Sequence, residues 1–143
     1  DSDESRGLGD VYKRQNNISI KFNKTDNFKI IGDRDKLIEI FTNLIDNSIK
    51  YSDKNKEITI TAKKDGEFNT VSVADQGIGI PKESIHRITE RFFTVDPSKS
   101  RSVGGTGLGL AIVKHLVSQH RAEMDINSIE NKGTTIDIKF NPL

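Results

Sequence analysis

The sequence has no cysteine, no tryptophan, one methionine and three prolines in 143 residues. Without cysteine there is no disulfide scaffold, no thiolate zinc site and no cysteine nucleophile. No stretch approaches the ~18 uninterrupted apolar residues that a membrane span requires. An excess of one charge is missing too, since 22 basic and 21 acidic residues leave a formal charge of +1. There is then no global field for nucleic acid or anionic lipid, and any bound anion must be held by a local constellation. What is present is a 33% hydrophobic share. It suffices for a core because it falls in periodic runs, over a length that suits one domain of roughly 100–150 residues.

Residues 1–15, DSDESRGLGDVYKRQ, have neither helical nor strand period. They read as a tail and look like a translated adapter rather than natural protein. The domain is expected over 17–143, with 1–16 as a disordered, non-native extension. Ile18, Ile20 and Phe22 alternate as in a strand, and a second short strand is expected at Phe28–Ile31. Gly32-Asp33 interrupts it and offers Asp33 as a helix N-cap. Leu37, Ile38, Phe41, Leu44, Ile45, Ser48 and Ile49 then recur at helical spacing until Ser52-Asp53-Lys54-Asn55.

Ile58, Ile60 and Ala62 alternate, Lys64-Asp65-Gly66-Glu67 turns, and Phe68 to Ala74 returns, which predicts a hairpin. A glycine-punctuated loop, Asp75–Pro81, is followed by an expected short helix over Lys82–Phe93 and by a stretch, 94–106, with little to bury. A helix is expected from Gly107 to His120. Met124 and Ile126 pair with Ile136, Ile138 and Phe140 about the turn Asn131-Lys132-Gly133. Helices interleaved with two hairpins predict an α/β (α+β) two-layer sandwich: a mixed, mostly antiparallel sheet with helices packed on one face.

Three features can carry chemistry. Asn43, Asn47 and Lys50 form one stripe of the first helix, with Tyr51 beside it. A polar stripe is ordinarily a solvated face, yet asparagine is a poor helix former and occurs here twice at one azimuth. Its amide oxygen is a hard, neutral ligand suited to Mg²⁺. Asp75 ends the row Val71, Val73, Asp75. It reads either as a turn aspartate or as an acceptor at the floor of an apolar slot, able to take an exocyclic amine, with Gly77 and Gly79 admitting a flat ring. Gly104-Gly105-Thr106-Gly107-Leu108-Gly109-Leu110 runs into a helix and reads as an anion cradle, since four glycines in six residues exceed what a flexible hinge before a helix requires. Its spacing fits neither a dinucleotide fingerprint, which would put a third glycine at Leu110, nor a Walker loop, since Leu110-Ala111 follows Gly109.

In this order the pieces resemble the ATP-binding catalytic domain of a sensor histidine kinase, with the GHKL (Bergerat) fold shared with gyrase and MutL. The resemblance covers Asn17–Phe140. Asn43 to Ser52 resembles the N box and Asp75 to Pro81 the first glycine box. Glu90-Arg91-Phe92-Phe93 resembles the F box, and Gly105 to His115 the second glycine box. One box is a weak signal; four in order at these separations are specific.

The resemblance implies ATP and Mg²⁺ as cofactors and Asn43, Asn47 and Lys50 as the catalytic group. Asn47 would be the metal ligand, Lys50 would contact phosphate and Tyr51 would pack near the nucleotide. Asp75 would accept from the adenine amine, with Gly77, Gly79 and Ile80 shaping the pocket. Phe92, with Phe93, would anchor a lid in which Lys99 or Arg101 meets the phosphates. Gly105, Thr106, Gly107, Leu108, Gly109 and Leu110 would complete the phosphate cradle.

Two positions depart from the family pattern. Thr94 stands where many relatives carry an arginine, which puts transfer efficiency in doubt. His120-Arg121-Ala122 replaces the usual His-Gly-Gly, as in some PhoR-like kinases.

None of the three histidines, His86, His115 and His120, precedes an acidic residue in the phosphoacceptor pattern. The expectation is therefore a fragment that presents MgATP to a histidine on a separate dimerisation domain and, through it, serves a response regulator. The resemblance further implies a homodimeric parent, a bacterial inner-membrane sensor. This domain would lie in the cytoplasm, touching neither membrane nor nucleic acid. The rivals are a GHKL ATPase or anti-sigma-type serine kinase, or a non-catalytic nucleotide-binding module. A gyrase-type ATPase needs a general-base glutamate on the first helix, where this chain has Asn43, with Glu39 one turn earlier.

Overall fold

The computed structural model describes residues 18–24, 26–52, 56–91, 93 and 109–142. Among them are five strands and two α-helices: β1 (Ser19–Lys24), α1 (Arg34–Lys50), β2 (Glu57–Lys64), β3 (Asn69–Ala74), α2 (Gly109–Gln119), β4 (Glu123–Ile129) and β5 (Gly133–Phe140). The sheet order is β1-β2-β3-β5-β4, with β1 parallel to β2 and every other pair antiparallel. This is the mixed two-layer sandwich that the alternation predicts.

Register explains why the helices lie on one face. Phe22 pairs with Ile60, Ile60 with Val73, Val73 with Ile136 and Ile136 with Ile126, so one apolar row crosses the whole sheet. Ala62, Val71, Ile138 and Met124 form a second row. Both helices press on these rows. Ile40, Leu44, Ile45 and Ile49 of α1 and Val113, Leu116 and Val117 of α2 are buried with Ile58, Val73 and Ile138, each contributing about 1.5–3 kcal/mol of burial free energy. The opposite face carries Thr59, Thr61, Ser72, Asp137, Asp125 and Lys139, joined by the Ser72–Asp137 hydrogen bond and the Lys139–Asp125 ion pair.

The ends of the helices are chemically specified. Asp33 caps α1: its carboxylate accepts from the Lys36 N–H at 3.1 Å. His120, just past α2, fixes the two helices to each other. Its Nε2 accepts the Asp33 N–H at 3.1 Å, which puts the ring proton on Nδ1, 2.8 Å from the Leu116 carbonyl. Gly32 lies against this ring so closely that a Cβ there would meet His120 Cδ2 at 2.6 Å.

Arg121 follows in the left-handed region, φ 54°, and the Ala122 N–H donates to the Val117 carbonyl at 3.1 Å, the cap at which glycine is usual. Arg121→Gly is accordingly expected to stabilise the domain by ~0.5–1 kcal/mol, read as a raised melting temperature.

Two expected elements differ. Phe28–Ile31 is not a strand. The chain leaving β1 is tied to the end of β2, where the Asp26 N–H donates to the Ala62 carbonyl at 3.2 Å and its carboxylate accepts the Lys64 N–H at 2.7 Å. That leaves the run no ladder partner, and Ile31 is 80% exposed. Lys82–Phe93 is a 3-10 turn over Lys82–Ser84 followed by further turns. Its N–H groups at Ser84, Arg87, Glu90 and Phe93 each reach back three residues, to Pro81, Ser84, Arg87 and Glu90. The expected start of the second helix at Gly107 and the expected 94–106 loop lie outside the described residues.

Candidate functional site

The site is assembled at the C-terminal end of α1, the loop after β3 and the first turn of α2. Asp75 lies one residue beyond β3, yet its N–H still donates to the Thr134 carbonyl at 2.8 Å, so the extended path continues and its side chain stays partly buried. Its Oδ1 accepts the Gly77 N–H at 2.9 Å and the Thr134 N–H at 3.1 Å. Burial is the largest influence on this carboxyl and pushes its pKa up. The Gly77 and Thr134 N–H groups, with the Ser48 hydroxyl, oppose that rise by stabilising the anion. A partly buried carboxylate oriented by backbone donors is a fixed acceptor.

The glycines of this loop have a physical reason that sequence alone did not supply. A Cβ on Gly77 would collide with the Tyr51 carbonyl oxygen, and one on Gly79 (φ +69°) with the Ile129 carbonyl. Both glycines are buried against the chain's own backbone. The Ile78 N–H donates to the Tyr51 carbonyl at 3.2 Å, the Ile78 carbonyl accepts the Asn131 N–H at 2.6 Å, and the Ile80 N–H donates to Ser128 Oγ at 2.8 Å. The loop is thereby fastened to the end of α1 on one side and to the β4–β5 turn on the other. Ser128, Thr134 and Gly133 belong to this support, and sequence reading missed them because they lie 48 to 59 residues from their partners.

On α1, Asn43 and Asn47 are half-buried. Asn43 Nδ2 donates to the Glu39 carbonyl at 2.9 Å. Its Oδ1 lies 3.8 Å from where a Gly109 Cβ would stand. The stripe and the start of α2 are therefore neighbours. Lys50 Nζ is 3.0 Å from Asp46 Oδ2, a partner not assigned from sequence although the i,i+4 spacing allowed it. Tyr51 ends α1, its N–H donating to the Asn47 carbonyl at 3.2 Å. Leu110 packs against the core.

Asn43, Asn47, Lys50, Tyr51, Asp75, Gly77, Gly79, Ile80, Gly109 and Leu110 thus fall in one region built by α1, the loop and α2. Phe92, Thr94, Lys99, Arg101, Gly105, Thr106, Gly107 and Leu108 lie outside the described residues. Phe93 is described: the Arg87 guanidinium stands 4.6 Å from its ring centroid and is held by Glu90 at 3.0 Å. Among the described residues no three His, Cys, Asp or Glu side chains group to hold a metal, and no helix is long and apolar enough to cross a membrane.

A two-layer sandwich with a partly buried acceptor after β3 and an asparagine of α1 beside Gly109 of α2 defines a class of nucleotide-binding domain. The chain belongs to the histidine kinase-, DNA gyrase B- and HSP90-like ATPase family, whose profile matches residues 32–143. It is 43% identical over 106 residues to the sensor histidine kinase WalK of Bacillus subtilis, covering 73% of this chain and 17% of that protein. It is also 43% identical over 111 residues to the phosphate regulon sensor protein PhoR of Pseudomonas aeruginosa, covering 78% and 25%. The sensor-like histidine kinase SenX3 of Mycolicibacterium smegmatis is 38% identical over 123 residues, covering 86% and 32%.

The chain therefore spans a third or less of these curated relatives. Among solved structures it is similar to the catalytic domain of histidine kinase ThkA, with a TM-score of 0.79 and 29% identity over 96% of this chain and 89% of that one. Full-length ShkA in complex with AMPPNP gives a TM-score of 0.79 at 25% identity, over 97% of this chain and 30% of that one.

Proposed function

We propose that this chain is the ATP-binding catalytic domain of a two-component sensor histidine kinase, holding MgATP for phosphoryl transfer to a histidine on a separate dimerisation domain. The observation that carries the reading is Asp75, a partly buried carboxylate whose Oδ1 is fixed by two backbone N–H groups. Such a group accepts an exocyclic amine of defined position, as on adenine. Asn43 beside Gly109 of α2 supports a phosphate end to the same site, where the glycine-rich run 104–109 enters the helix and a helix N-terminus favours an anion.

Mg²⁺ fits the donor set present: a hard cation that keeps most of its waters asks for few protein ligands, and the Asn47 amide oxygen is suited to be one. When bound, the metal would supply charge neutralisation along the phosphates. This chain's own residues orient. Asp75 sets the position of the base, Lys50 supplies a cation at the phosphate end and Tyr51 covers the nucleotide. Phosphoryl transfer needs mainly such positioning and charge balance, and a neutral imidazole acceptor is already nucleophilic near pH 7. Water activation is unsupported at Asn43, an amide whose nitrogen is spent on the Glu39 carbonyl. Phe92, Lys99, Arg101, Gly105, Thr106, Gly107 and Leu108 belong to the proposal as lid and phosphate cradle. The parent would be a homodimeric bacterial inner-membrane sensor, with this domain in the cytoplasm and a response regulator as the final acceptor.

A nonhydrolysable ATP analogue with Mg²⁺ at ~100 times its dissociation constant is expected to stabilise the domain by about 2.7 kcal/mol. Asn47→Ala should remove most of that gain in a thermal melt. Labelled phosphate should also reach a histidine-bearing hairpin domain supplied in trans. Equal melting shifts in wild type and variant would exclude the reading.

A further inference from the structure

Asp46 forms an ion pair with Lys50 near the end of α1. Its Oδ2 is 3.0 Å from the Lys50 ammonium, and the two side chains are only 26% and 16% exposed. The acid precedes the base by four residues, the favourable order along a helix, and partial burial reduces the screening that weakens surface pairs. Asp46 is also adjacent to Asn47 and lies one turn beyond Asn43, whose Oδ1 faces the first residue of α2. The phosphate end of the site therefore presents a balanced ion pair rather than a bare cation.

That balance treats two forms of one nucleotide differently. A bare triphosphate brings about four negative charges to the carboxylate, whereas its divalent-metal complex brings about two, together with a cation that a carboxylate attracts. Repulsion from Asp46 falls mainly on the bare form. We propose that Asp46, through its ion pair with Lys50, is the residue by which this site selects metal-complexed over metal-free nucleoside triphosphate. The inference rests on the nucleotide reading above and assigns it a specificity residue.

The test measures dissociation constants of a nonhydrolysable ATP analogue by calorimetry, once with Mg²⁺ and once with EDTA, for wild type, Asp46→Asn and Asp46→Glu. The quantity of interest is the EDTA constant divided by the Mg²⁺ constant. Asp46→Asn is expected to lower this ratio about tenfold, mainly by tightening the metal-free form. Asp46→Glu, which restores the charge, should stay within about threefold of wild type. A loss of fold would weaken both forms alike and leave the ratio where it was. Melting curves without nucleotide identify that case, and Asp46→Ser then replaces the asparagine variant. An unchanged ratio in a folded neutral variant overturns the selectivity role while leaving the nucleotide reading intact. A wild type that binds neither form overturns the nucleotide reading itself, and this inference with it.

Discussion

Asp75→Asn is expected to weaken binding of an ATP analogue about 100-fold, the scale of one lost hydrogen bond to a charged group, while the nucleotide-free domain melts at the same temperature or higher. The asparagine oxygen can still take the Gly77 and Thr134 N–H groups that Oδ1 takes now. What is lost is a second acceptor: the amide nitrogen donates, and it faces the amine it would have to bind.

The stability gain follows from the direction of the Asp75 shift. Burial raises its pKa above the ordinary carboxylate range, so between the unfolded and folded values the native state holds more protons than the unfolded one. Stability contributed by this group is thus present at low pH and falls as pH rises through that window. Nucleotide affinity should run the other way, rising as Asp75 ionises. Opposite pH trends for apo stability and affinity, both abolished in Asp75→Asn, would be the signature. Parallel trends would show that Asp75 is structural only.

Gly79→Ala is expected to cost about 3 kcal/mol or more in urea unfolding and to remove the nucleotide response with it. The residue is at φ +69°, and an added methyl would run into the Ile129 carbonyl, backbone that cannot rotate away. Gly66→Ala separates the two contributions. Gly66 has φ +90°, but nothing lies within 4 Å of a Cβ there, so only the conformational penalty of about 1 kcal/mol applies. Similar losses at both positions would mean that the contact with Ile129 is unimportant.

Local periodicity made most of the fold legible. The two apolar rows, the Asp33 cap and both hairpin turns are period-two or single-residue signals, and they reappear at the expected positions. The Asp65 turn even shows its mechanism, with the carboxylate accepting the Glu67 and Phe68 N–H groups at 3.1 and 2.8 Å. Phe28–Ile31 misled because an apolar run says nothing about whether a neighbouring strand is available. Lys82–Phe93 misled because three-residue and four-residue repeats are hard to tell apart over one or two turns. At the site, Asn43, Asn47 and Asp75 were legible as residue types in unusual places. The backbone contacts that make Gly77 and Gly79 necessary were not, since they depend on segments distant in sequence, and neither was the occupied state of Lys50.

The fastening of the Asp75 loop to the far hairpin also has a temporal side. Thr134, which orients the acid, is 59 residues downstream of it, and His120, which receives the first helix, is 87 residues beyond Asp33. A chain growing from its amino end carries Asp75 long before the segment that orients its carboxylate has been made. Competence to take up ligand should consequently arrive late and all at once, when the last two strands close, so that a stalled or prematurely ended polypeptide would not compete for the cell's ATP.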